Sequence, residues 1–408
     1  MTATYDLVII GGGIAGSALA ITMARAGHAV LVLEASTVFQ DRVRGEWIAP
    51  WGVAETRRLG LYDLLRAAGG HHITRHATYD ETVAPGEVED MPLSMFLDGV
   101  EGPLCIGHPR HCQTLFDAAR AAGADTRRGV EVSALAFGAA PTVTFSQGGE
   151  TATVKTRLIV GADGRASGVR EAAGIALQQD KPHHMFAGLL VDGVPDWEDD
   201  LQSIGTEGDF AFLTFPQGAA RARVYGSFGL DQRRRFAGPD GSRAFLDAFL
   251  MKSAPKNAAI AAGRPAGPLL AYFNHDSWTD RPYAPGMVLI GDAAGWNDPI
   301  IGLGLSISYR DVRMVSQALT DRSDWTGEVF RAYGEERFER MRRLRFAASL
   351  TSTLDAEFDE AARERRARYH KRSKADPTLG ANAFAVMAGP EALPPDMFTP
   401  ERRAFVLG

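Results

Sequence analysis

The sequence predicts an α/β fold in which a parallel sheet is interrupted by an antiparallel sheet and followed by C-terminal helices. A strand, a glycine-rich turn, a helix and a second strand follow one another in residues 5–34. Two further apolar strands run into Asp-Gly and Gly-Asp turns at 157–164 and 286–295. Between them, residues 183–230 alternate apolar and polar positions, as in an antiparallel sheet covered on one face. Strands of the first sheet therefore occur both before and after the antiparallel sheet in the chain, which predicts interleaved domains.

The individual elements follow in order along the chain. YDLVII is a short buried strand, SALAITMARAG is an Ala-rich helix ended by Gly27, and AVLVLE is a second buried strand that ends in Glu34. These elements form a βαβ unit. Strand-like segments follow at 74–95 and up to Lys155. Further helices are predicted at 52–59, 61–68, 110–122, 242–251 and 303–319, with a long charged helix from about residue 327 and a proline-rich tail.

Composition excludes several classes of protein. The 408 residues are 45% hydrophobic and 23% charged, which is ample for a core and excludes intrinsic disorder. A formal net charge of −6 argues against a nucleic-acid binder. Cys105 and Cys112 are too few for a disulfide framework, so we expect a reducing compartment, the cytoplasm. Four glycines interrupt the apolar run at 7–24, so we expect neither a membrane span nor a signal peptide.

The first motif is Gly11-x-Gly13-x-x-Gly16, directly after a strand and opening a helix. Gly11 permits the tight turn, Gly13 lets the backbone approach a pyrophosphate, and Gly16 allows close packing of helix on strand. The helix N-terminus supplies free N–H groups for phosphate. Glu34, at the end of the second strand, can accept from both hydroxyls of an adenosine ribose and would repel a 2′-phosphate. The motif therefore predicts FAD or NAD rather than NADP.

Two further strand ends favour FAD over NAD. Asp163 follows the strand at 157–164, and Asp292 follows the strand at 286–295. Asp292 can bind the ribityl hydroxyls of a flavin. The helix that begins near Gly302 can aim its N-terminus at the pyrimidine edge of the isoalloxazine, where the helix dipole stabilises the anionic reduced flavin.

The order GGGIAG, GADGRASGVR and GDAAGWNDPIIGLGLS resembles the FAD-dependent monooxygenases of the para-hydroxybenzoate hydroxylase type over most of residues 5–320. The resemblance implies a Rossmann-like FAD-binding domain interleaved with a β-sheet substrate domain, and a flavin C4a-hydroperoxide formed from reduced FAD and O2. Gly295 and Ser306 depart from the His and Asn that many relatives have there. The implied FAD-binding residues are Gly11, Gly13, Ala15, Gly16, Glu34, Arg44, Arg110, Asp163, Asp292, Pro299, Gly302, Gly304 and Leu305.

The interleaving predicts six segments. The FAD-binding domain comprises 1–75, 101–180 and 276–325, the substrate domain comprises 76–100 and 181–275, and 326–408 forms a C-terminal helical region. No separate second nucleotide domain is visible in the sequence. Electrons therefore come either from NAD(P)H directly or from reduced flavin supplied by a partner reductase.

The predicted function is insertion of one oxygen atom from O2, by hydroxylation or epoxidation, into an aromatic or unsaturated small molecule. The substrate is expected between the flavin and the sheet of 186–225, with Phe212, Phe215 and Tyr225 as candidate lining residues. No catalytic base is assigned. The histidine cluster His71, His72 and His76 lacks carboxylate or cysteine partners, so no metal site is predicted. The arginines from 337 to 345 are interpreted as a solvated helix face.

Two other flavin chemistries are the alternatives. Residues 44–50 (RGEWIAP) look like a loop shared in variant form by flavin-dependent halogenases and alkene-reducing relatives. The alkene reductases of the geranylgeranyl reductase type remain open. A halogenase would carry W-x-W-x-I-P, but residues 211–216 read AFLTFP, and the lysine that delivers hypohalous acid has no counterpart before Lys155. Halogenation is therefore disfavoured.

Overall fold

A computed structural model describes residues 4–320, 322, 325 and 327–408. The strands, in chain order, are β1 (Thr4–Ile10), β2 (Val30–Glu34), β3 (Trp47–Ile48), β4 (His71–His72), β5 (Arg75–Asp80), β6 (Met91–Pro92), β7 (Leu104–Cys105), β8 (Asp125–Arg128), β9 (Val130–Ala136), β10 (Thr142–Gln147), β11 (Glu150–Gly161), β12 (Gln178–Gln179), β13 (His184–Asp192), β14 (Leu201–Glu207), β15 (Phe210–Gly218), β16 (Arg221–Phe228), β17 (Arg264–Pro265), β18 (Leu270–Asn274), β19 (Ser277–Trp278), β20 (Tyr283–Ala284), β21 (Met287–Leu289) and β22 (Gly295–Trp296).

The helices surround these strands and continue beyond them. In chain order they are α1 (Ile14–Arg25), α2 (Pro50–Arg58), α3 (Tyr62–Ala67), α4 (His108–Ala121), α5 (Gly168–Ala172), α6 (Gly241–Asp247), α7 (Ala258–Ala261), α8 (Gly304–Thr320), α9 (Arg331–Asp355), α10 (Glu360–Ala375), α11 (Asn382–Met387) and α12 (Pro400–Leu407). Within the described part of the chain, no helix has the length and apolar character needed to cross a membrane.

The first sheet is parallel at its centre, as predicted. Its order is β20–β21–β11–β1–β2–β8, and every pair from β21 to β8 is parallel. Leu7, Val8 and Ile9 of β1 are fully buried because helices pack on one face of the sheet and the β9–β10 hairpin on the other. The predicted βαβ unit and α/β class are confirmed. The carboxyl ends of β1, β2, β11 and β21 consequently share one edge.

Strand β11 differs from the sequence prediction. Separate strands were expected up to Lys155 and from Arg157, but the structure has one twelve-residue strand. Its first half pairs antiparallel with β10, and its second half pairs parallel with β1. Residues 150–153 are exposed, burial alternates over 154–157, and residues 158–161 are all buried because this last stretch is covered on both faces.

The second sheet has the order β17–β13–β16–β15–β14–β5–β6, and β18 pairs with β13 along the same edge as β17. Neighbouring strands are antiparallel except β14 and β5. One face packs on a core that includes Phe212, Phe245 and Phe249. Side chains alternate between the two faces, so the opposite face is left to line a cavity.

Two helical predictions need correction. The helix expected at 242–251 ends at Asp247, and tighter turns follow in which Phe249 N–H and Leu250 N–H each donate to the carbonyl three residues earlier. The long helix α9 is present, but its arginines from 337 to 345 do not all lie on a solvated face. Arg337 and Arg340 are 2% and 3% exposed because they bind carboxylates inside the protein.

Candidate active site

A cavity of about 1,730 Å³ lies between the carboxyl edge of the first sheet and the free face of the second. Ligand pockets for one drug-sized molecule are commonly about 300–1,000 Å³. This cavity therefore has room for an extended cofactor and a separate small molecule. Its lining includes most of the predicted site residues: Gly11, Gly13, Ala15, Glu34, Arg44, Asp163, Phe215, Tyr225, Asp292, Pro299, Gly302, Gly304 and Leu305.

The glycine turn after β1 is shaped by close backbone approaches. Gly11 has a φ of 101°, and a Cβ there would lie 2.3 Å from the carbonyl oxygen of Ala162. A Cβ on Gly16 would lie 1.9 Å from the carbonyl oxygen of Gly11, so Gly16 packs behind the turn and does not line the cavity. At Gly13, by contrast, a Cβ would meet no atom of the described residues within 4 Å. The backbone at Gly13 is therefore open to a ligand.

The N-terminus of α1 is available for an anion. Gly13 is its N-cap, and no side chain from the described part of the chain caps the helix. Its first turn also lacks acidic residues. The uncapped N–H groups and the helix dipole together favour phosphate at this position.

Glu34 is held at the end of β2, beside the glycine turn. Its Oε2 accepts from Gly12 N–H at 2.7 Å and its Oε1 accepts from Ser36 N–H at 2.8 Å. The side chain is 9% exposed and lines the cavity. Each carboxylate oxygen can accept more than one hydrogen bond, so Glu34 retains capacity for ribose hydroxyls.

Asp163 acts mainly within its own turn. Its Oδ1 accepts from Ser167 Oγ at 2.5 Å and its Oδ2 accepts from Val169 N–H at 3.2 Å. Arg170, in the helix that follows, donates to the carbonyl oxygen of Ala293 at 2.9 Å. The two strand ends that the sequence singled out are thus joined directly through Arg170.

Asp292 projects from a turn that is fixed from behind. Gly291 takes a φ of 59°, and the Asp292 side chain is 31% exposed, with Arg165 Nε 3.2 Å from its Oδ2. Arg337 of α9 donates to the carbonyl oxygens of Gly291, Ala294 and Gly295 at 2.9–3.1 Å. The Asp292 carboxylate is partly exposed, lines the cavity and has one oxygen paired with Arg165.

Asp311 of α8 completes this support. It accepts from Gly291 N–H at 2.9 Å and binds Arg337 and Arg340. The two arginines hold the pKa of this carboxyl below its usual value despite complete burial. Sequence reasoning missed Asp311 and Arg337. In the sequence, only two features point to them. One is an acidic residue among the apolar positions of the helix predicted at 303–319, and the other is a pair of arginines three residues apart on the helix predicted from about residue 327.

The entry to α8 is a second open backbone segment. Asp298 Oδ1 accepts from Ile300 N–H at 3.0 Å, Gly302 takes a φ of 67°, and α8 begins at Gly304. A Cβ on Gly304 would meet none of the described atoms within 4 Å. Gly304 and Leu305 therefore present helix N-terminal amides to the cavity, as Gly13 does at the other end.

Asp276 braces the same segment from behind. Its Oδ1 accepts from Asn297 Nδ2 at 3.0 Å and from Asp298 N–H at 2.9 Å. Burial and the neighbouring Asp298 charge raise the pKa of Asp276 to about 7, although the two hydrogen bonds oppose the shift.

Arg44 and Arg110 have different locations. Arg44 lines the cavity, with its guanidinium carbon 5.4 Å from the ring centroid of Tyr272. Arg110 is exposed on α4 and lies outside the lining, with its guanidinium beside Gly69. On α4, His108 and Cys112 line the cavity and are one helical turn apart. Arg110 lies midway between them in the sequence, so its side chain points to the opposite side of the helix.

The candidate substrate residues also divide between two faces. Phe215 and Tyr225 line the cavity, whereas Phe212 is 1% exposed on the other side of β15, against Phe249. The prediction that Phe212 lines the substrate site is therefore wrong. Successive side chains of a strand point to opposite faces, so residues 212 and 215, which are three positions apart, cannot share one face. Burial raises the pKa of Tyr225 well above its usual value.

A buried ion pair anchors the loop at 41–46 to the second sheet. Arg223 of β16 binds both carboxylate oxygens of Glu46, and its Nη2 donates to Asp41 Oδ2 at 2.7 Å. The Tyr225 hydroxyl lies 3.5 Å from Glu46. Among the described side chains, no group of three His, Cys, Asp or Glu residues is placed to hold a metal ion.

The fold and the cavity define a dinucleotide-binding α/β flavoprotein. The family model described as an FAD binding domain matches residues 4–347, and the chain belongs to that family. This membership confirms the predicted use of FAD, the predicted class of oxidoreductase enzyme and the resemblance to FAD-dependent monooxygenases.

Known proteins agree with this assignment. The chain is 27% identical to 3-demethoxyubiquinol 3-hydroxylase of Escherichia coli over 86% of this chain and 88% of that protein. It is 25% identical to mouse squalene monooxygenase over 78% of this chain, and it spans 55% of that protein's length. The structure of p-nitrophenol 4-monooxygenase from Pseudomonas putida superposes with a TM-score of 0.81 at 18% identity, covering 95% of this chain and 99% of the other.

The residues present fit FAD. Open backbones at Gly13 and Gly304 lie at two places in one cavity, each at the start of a helix, where a Cβ would fill the space that a ligand needs. The carboxylates of Glu34 and Asp292 reach the same cavity. Helix N-termini suit the diphosphate and an anionic ring, and carboxylates suit ribose and ribityl hydroxyls.

Proposed function

We propose that FAD lies along the carboxyl edge of the first sheet, with its flavin ring turned toward the second. In this arrangement Glu34 binds the adenosine ribose, the N-terminus of α1 binds the diphosphate and Asp292 binds the ribityl chain. The backbone amides of Gly304 and Leu305 face the pyrimidine edge of the ring. The predicted division into six domain segments stays a prediction, and the two eight-stranded sheets are its structural basis.

We further propose that the protein inserts one oxygen atom from O2 into an aromatic or unsaturated small molecule, by hydroxylation or epoxidation. The observation that carries this proposal is the single cavity that joins the flavin-binding edge to an apolar sheet face lined by Ile204, Leu213 and Phe215. Reduced FAD supplies the chemistry that activates oxygen. The chain's own residues exclude water and hold the substrate carbon beside the ring.

The relatives support an oxygenation reaction. Two of the curated relatives are named as a hydroxylase and a monooxygenase, and the superposed structure is a 4-monooxygenase. The electrons come from NAD(P)H directly or from a partner flavin reductase. Anaerobic reduction of the bound FAD by NADH or NADPH, without added reductase, distinguishes the two sources.

Labelled oxygen tests the reaction. Candidate aromatic and unsaturated substrates are incubated with the FAD-loaded protein and a reductant under 18O2, and the products are analysed by mass spectrometry. We expect one 18O atom per product molecule and no product without oxygen. Product formation that continues under anaerobic conditions would instead indicate the alkene reductase.

The halogenase alternative is opposed by the cavity. No lysine lines it among the described residues, and the positions where tryptophans would stand carry Ala211 and Leu213. A free hypohalous acid needs a carrier amine between flavin and substrate. With excess chloride or bromide present we therefore expect oxygenated products only, and an enzyme-dependent halogenated product would overturn this reading.

A further inference from the structure

Four side chains on the cavity wall form an unbroken chain of hydrogen bonds. Trp47 Nε1 lies 2.9 Å from Gln202 Oε1, Gln202 Nε2 lies 3.1 Å from His76 Nδ1, and His76 Nε2 lies 2.9 Å from Thr78 Oγ1. The chain starts in β3 and crosses from β14 to β5 where Gln202 and His76 are direct partners in the sheet. Three strands therefore hold it in place.

The direction of every bond in this chain is determined by its first member. An indole nitrogen can only donate, so the Gln202 carbonyl oxygen must face Trp47 and the Gln202 amide nitrogen must face His76. His76 Nδ1 then accepts, and in the neutral ring the proton sits on Nε2. His76 Nε2–H therefore donates to the Thr78 hydroxyl oxygen.

The charge of His76 is settled by the same arrangement. Protonation would place an N–H on Nδ1 against the N–H of Gln202, which is a donor facing a donor. Burial acts in the same direction and lowers the pKa of His76 to about 4. His76 is thus a neutral ring with a fixed tautomer at physiological pH.

The last member of the chain is Thr78, an exposed residue that lines the cavity. Its hydroxyl oxygen is occupied by the His76 donor, and its hydrogen has no acceptor among the described residues. The other end of the chain is Trp47, whose ring would lie 3.1 Å from a Cβ on Gly302. The chain thus runs from the proposed flavin position to the sheet face proposed for the substrate.

We propose that Thr78 donates a hydrogen bond to an acceptor oxygen, a carbonyl or hydroxyl, on the substrate, and that His76, Gln202 and Trp47 are positioning residues that orient this donor. The inference rests on the proposed function, because it assumes that the substrate lies on this face of the sheet. It defines the substrate class as an apolar molecule with one acceptor oxygen placed toward β5.

The tautomer is tested without any substrate. In protein labelled with 15N-histidine, the 15N spectrum should show His76 as the neutral Nε2–H form at pH 7. In the Gln202→Glu variant a carboxylate faces Nδ1, so His76 should move its proton to Nδ1 or become doubly protonated. An Nδ1–H form in the wild type, or no change in the variant, would overturn the directed chain.

The donor is tested with a matched pair of probes. Binding of 2-acetylnaphthalene and 2-ethylnaphthalene to the oxidised, FAD-loaded protein is measured by calorimetry. We expect the acetyl compound to bind about three- to tenfold more tightly, the range of one neutral hydrogen bond. Thr78→Val should abolish this preference, whereas Thr153→Val, on β11 away from the cavity, should keep it.

An acetyl compound that binds no tighter than its ethyl partner, or that does not bind, would contradict the proposal, as would a preference that survives Thr78→Val. Neither measurement uses oxygen or a reductant. A failure here is therefore distinguishable from a failure of the proposed monooxygenase activity, which the 18O2 experiment measures separately.

Discussion

The guanidinium of Arg337 binds the carboxylate of Asp311 with an Nε–Oδ2 distance of 3.0 Å, and both side chains are almost completely buried. The same guanidinium donates to three carbonyl oxygens of the turn at 291–295, and Asp311 accepts from the N–H of Gly291, which opens that turn. Helices α8 and α9 therefore fix the position of Asp292 through Asp311 and Arg337, neither of which lines the cavity.

Replacing Arg337 should damage both the fold and the flavin site. Arg337→Met leaves the buried Asp311 with one partner fewer and frees three carbonyl oxygens, so we expect a loss of about 3–5 kcal/mol in the free energy of unfolding. FAD affinity should fall as well, because the turn loses its support. Denaturant unfolding and FAD titration of the apoprotein measure the two effects.

The matched control is Arg342→Met on the same helix. Arg342 is 39% exposed and pairs with Glu339 at the surface, so its replacement should change stability by less than about 1 kcal/mol. Equal effects of the two variants would show that burial of Arg337 does not support the turn.

Asp292→Ala should weaken FAD binding and leave the fold largely intact. The side chain is partly exposed in the cavity, and the carboxylate is proposed to accept from ribityl hydroxyls. A charged hydrogen bond is worth about 1.5–3 kcal/mol, so we expect a ten- to hundredfold loss in affinity. Titration of the apoprotein checks this, with the exposed Asp280→Ala as control. Unchanged affinity would mean that the flavin is not at Asp292.

Asp276 should make stability depend on pH. Its pKa is raised to about 7 in the folded state from 3.8, so the unfolded chain releases the proton first as pH rises. Folded stability should therefore fall between about pH 4 and pH 7, by at most about 1.4 kcal/mol per pH unit from this group. Asp276→Asn keeps an oxygen for both hydrogen bonds and removes the titration.

The measurement is thermal unfolding of both proteins across that range. We expect the variant to gain stability relative to the wild type as pH rises from 4 to 7, with little difference below pH 4. A difference that is constant with pH would show that Asp276 is ionised throughout.

Phe212 and Phe215 should respond differently to truncation because they lie on opposite faces of β15. Phe212→Ala empties a space in the core and should cost about 3–5 kcal/mol in the free energy of unfolding, with binding of 2-ethylnaphthalene unchanged. Phe215→Ala should weaken that binding by roughly three- to tenfold, since it removes apolar surface from the cavity. Similar effects of both variants on binding would place the ligand elsewhere.

Local sequence signals predicted the first sheet and its strand ends well. Strands β1 and β2, and the glycines between them, are specified by residues close together in the chain. Glu34 ends one strand, and Asp163 and Asp292 follow two others. The carboxyl ends of these parallel strands meet at one edge, so the proximity of the three carboxylates could be predicted without knowing the packing.

The features that local sequence signals did not reveal depend on distant partners. Burial of Arg337 requires a carboxylate on the preceding helix, 26 residues away, which a charge pattern along one helix does not reveal. Which face of the sheet Phe212 occupies depends on the register of β15 against its neighbours. The direction of the Arg110 side chain depends on the rotation of α4 about its axis. The chain from Trp47 to Thr78 joins three strands and has no sequence signature at all.

A crystal structure of the oxidised protein with FAD bound would show whether flavin and substrate share one cavity. We expect the adenosine ribose at Glu34, the diphosphate at Gly13, and the flavin ring beside Gly304 and Leu305 with one face open toward Phe215 and Thr78. A ring seated away from the start of α8, or closed off from the face of the second sheet, would contradict the claim that flavin and substrate share one cavity.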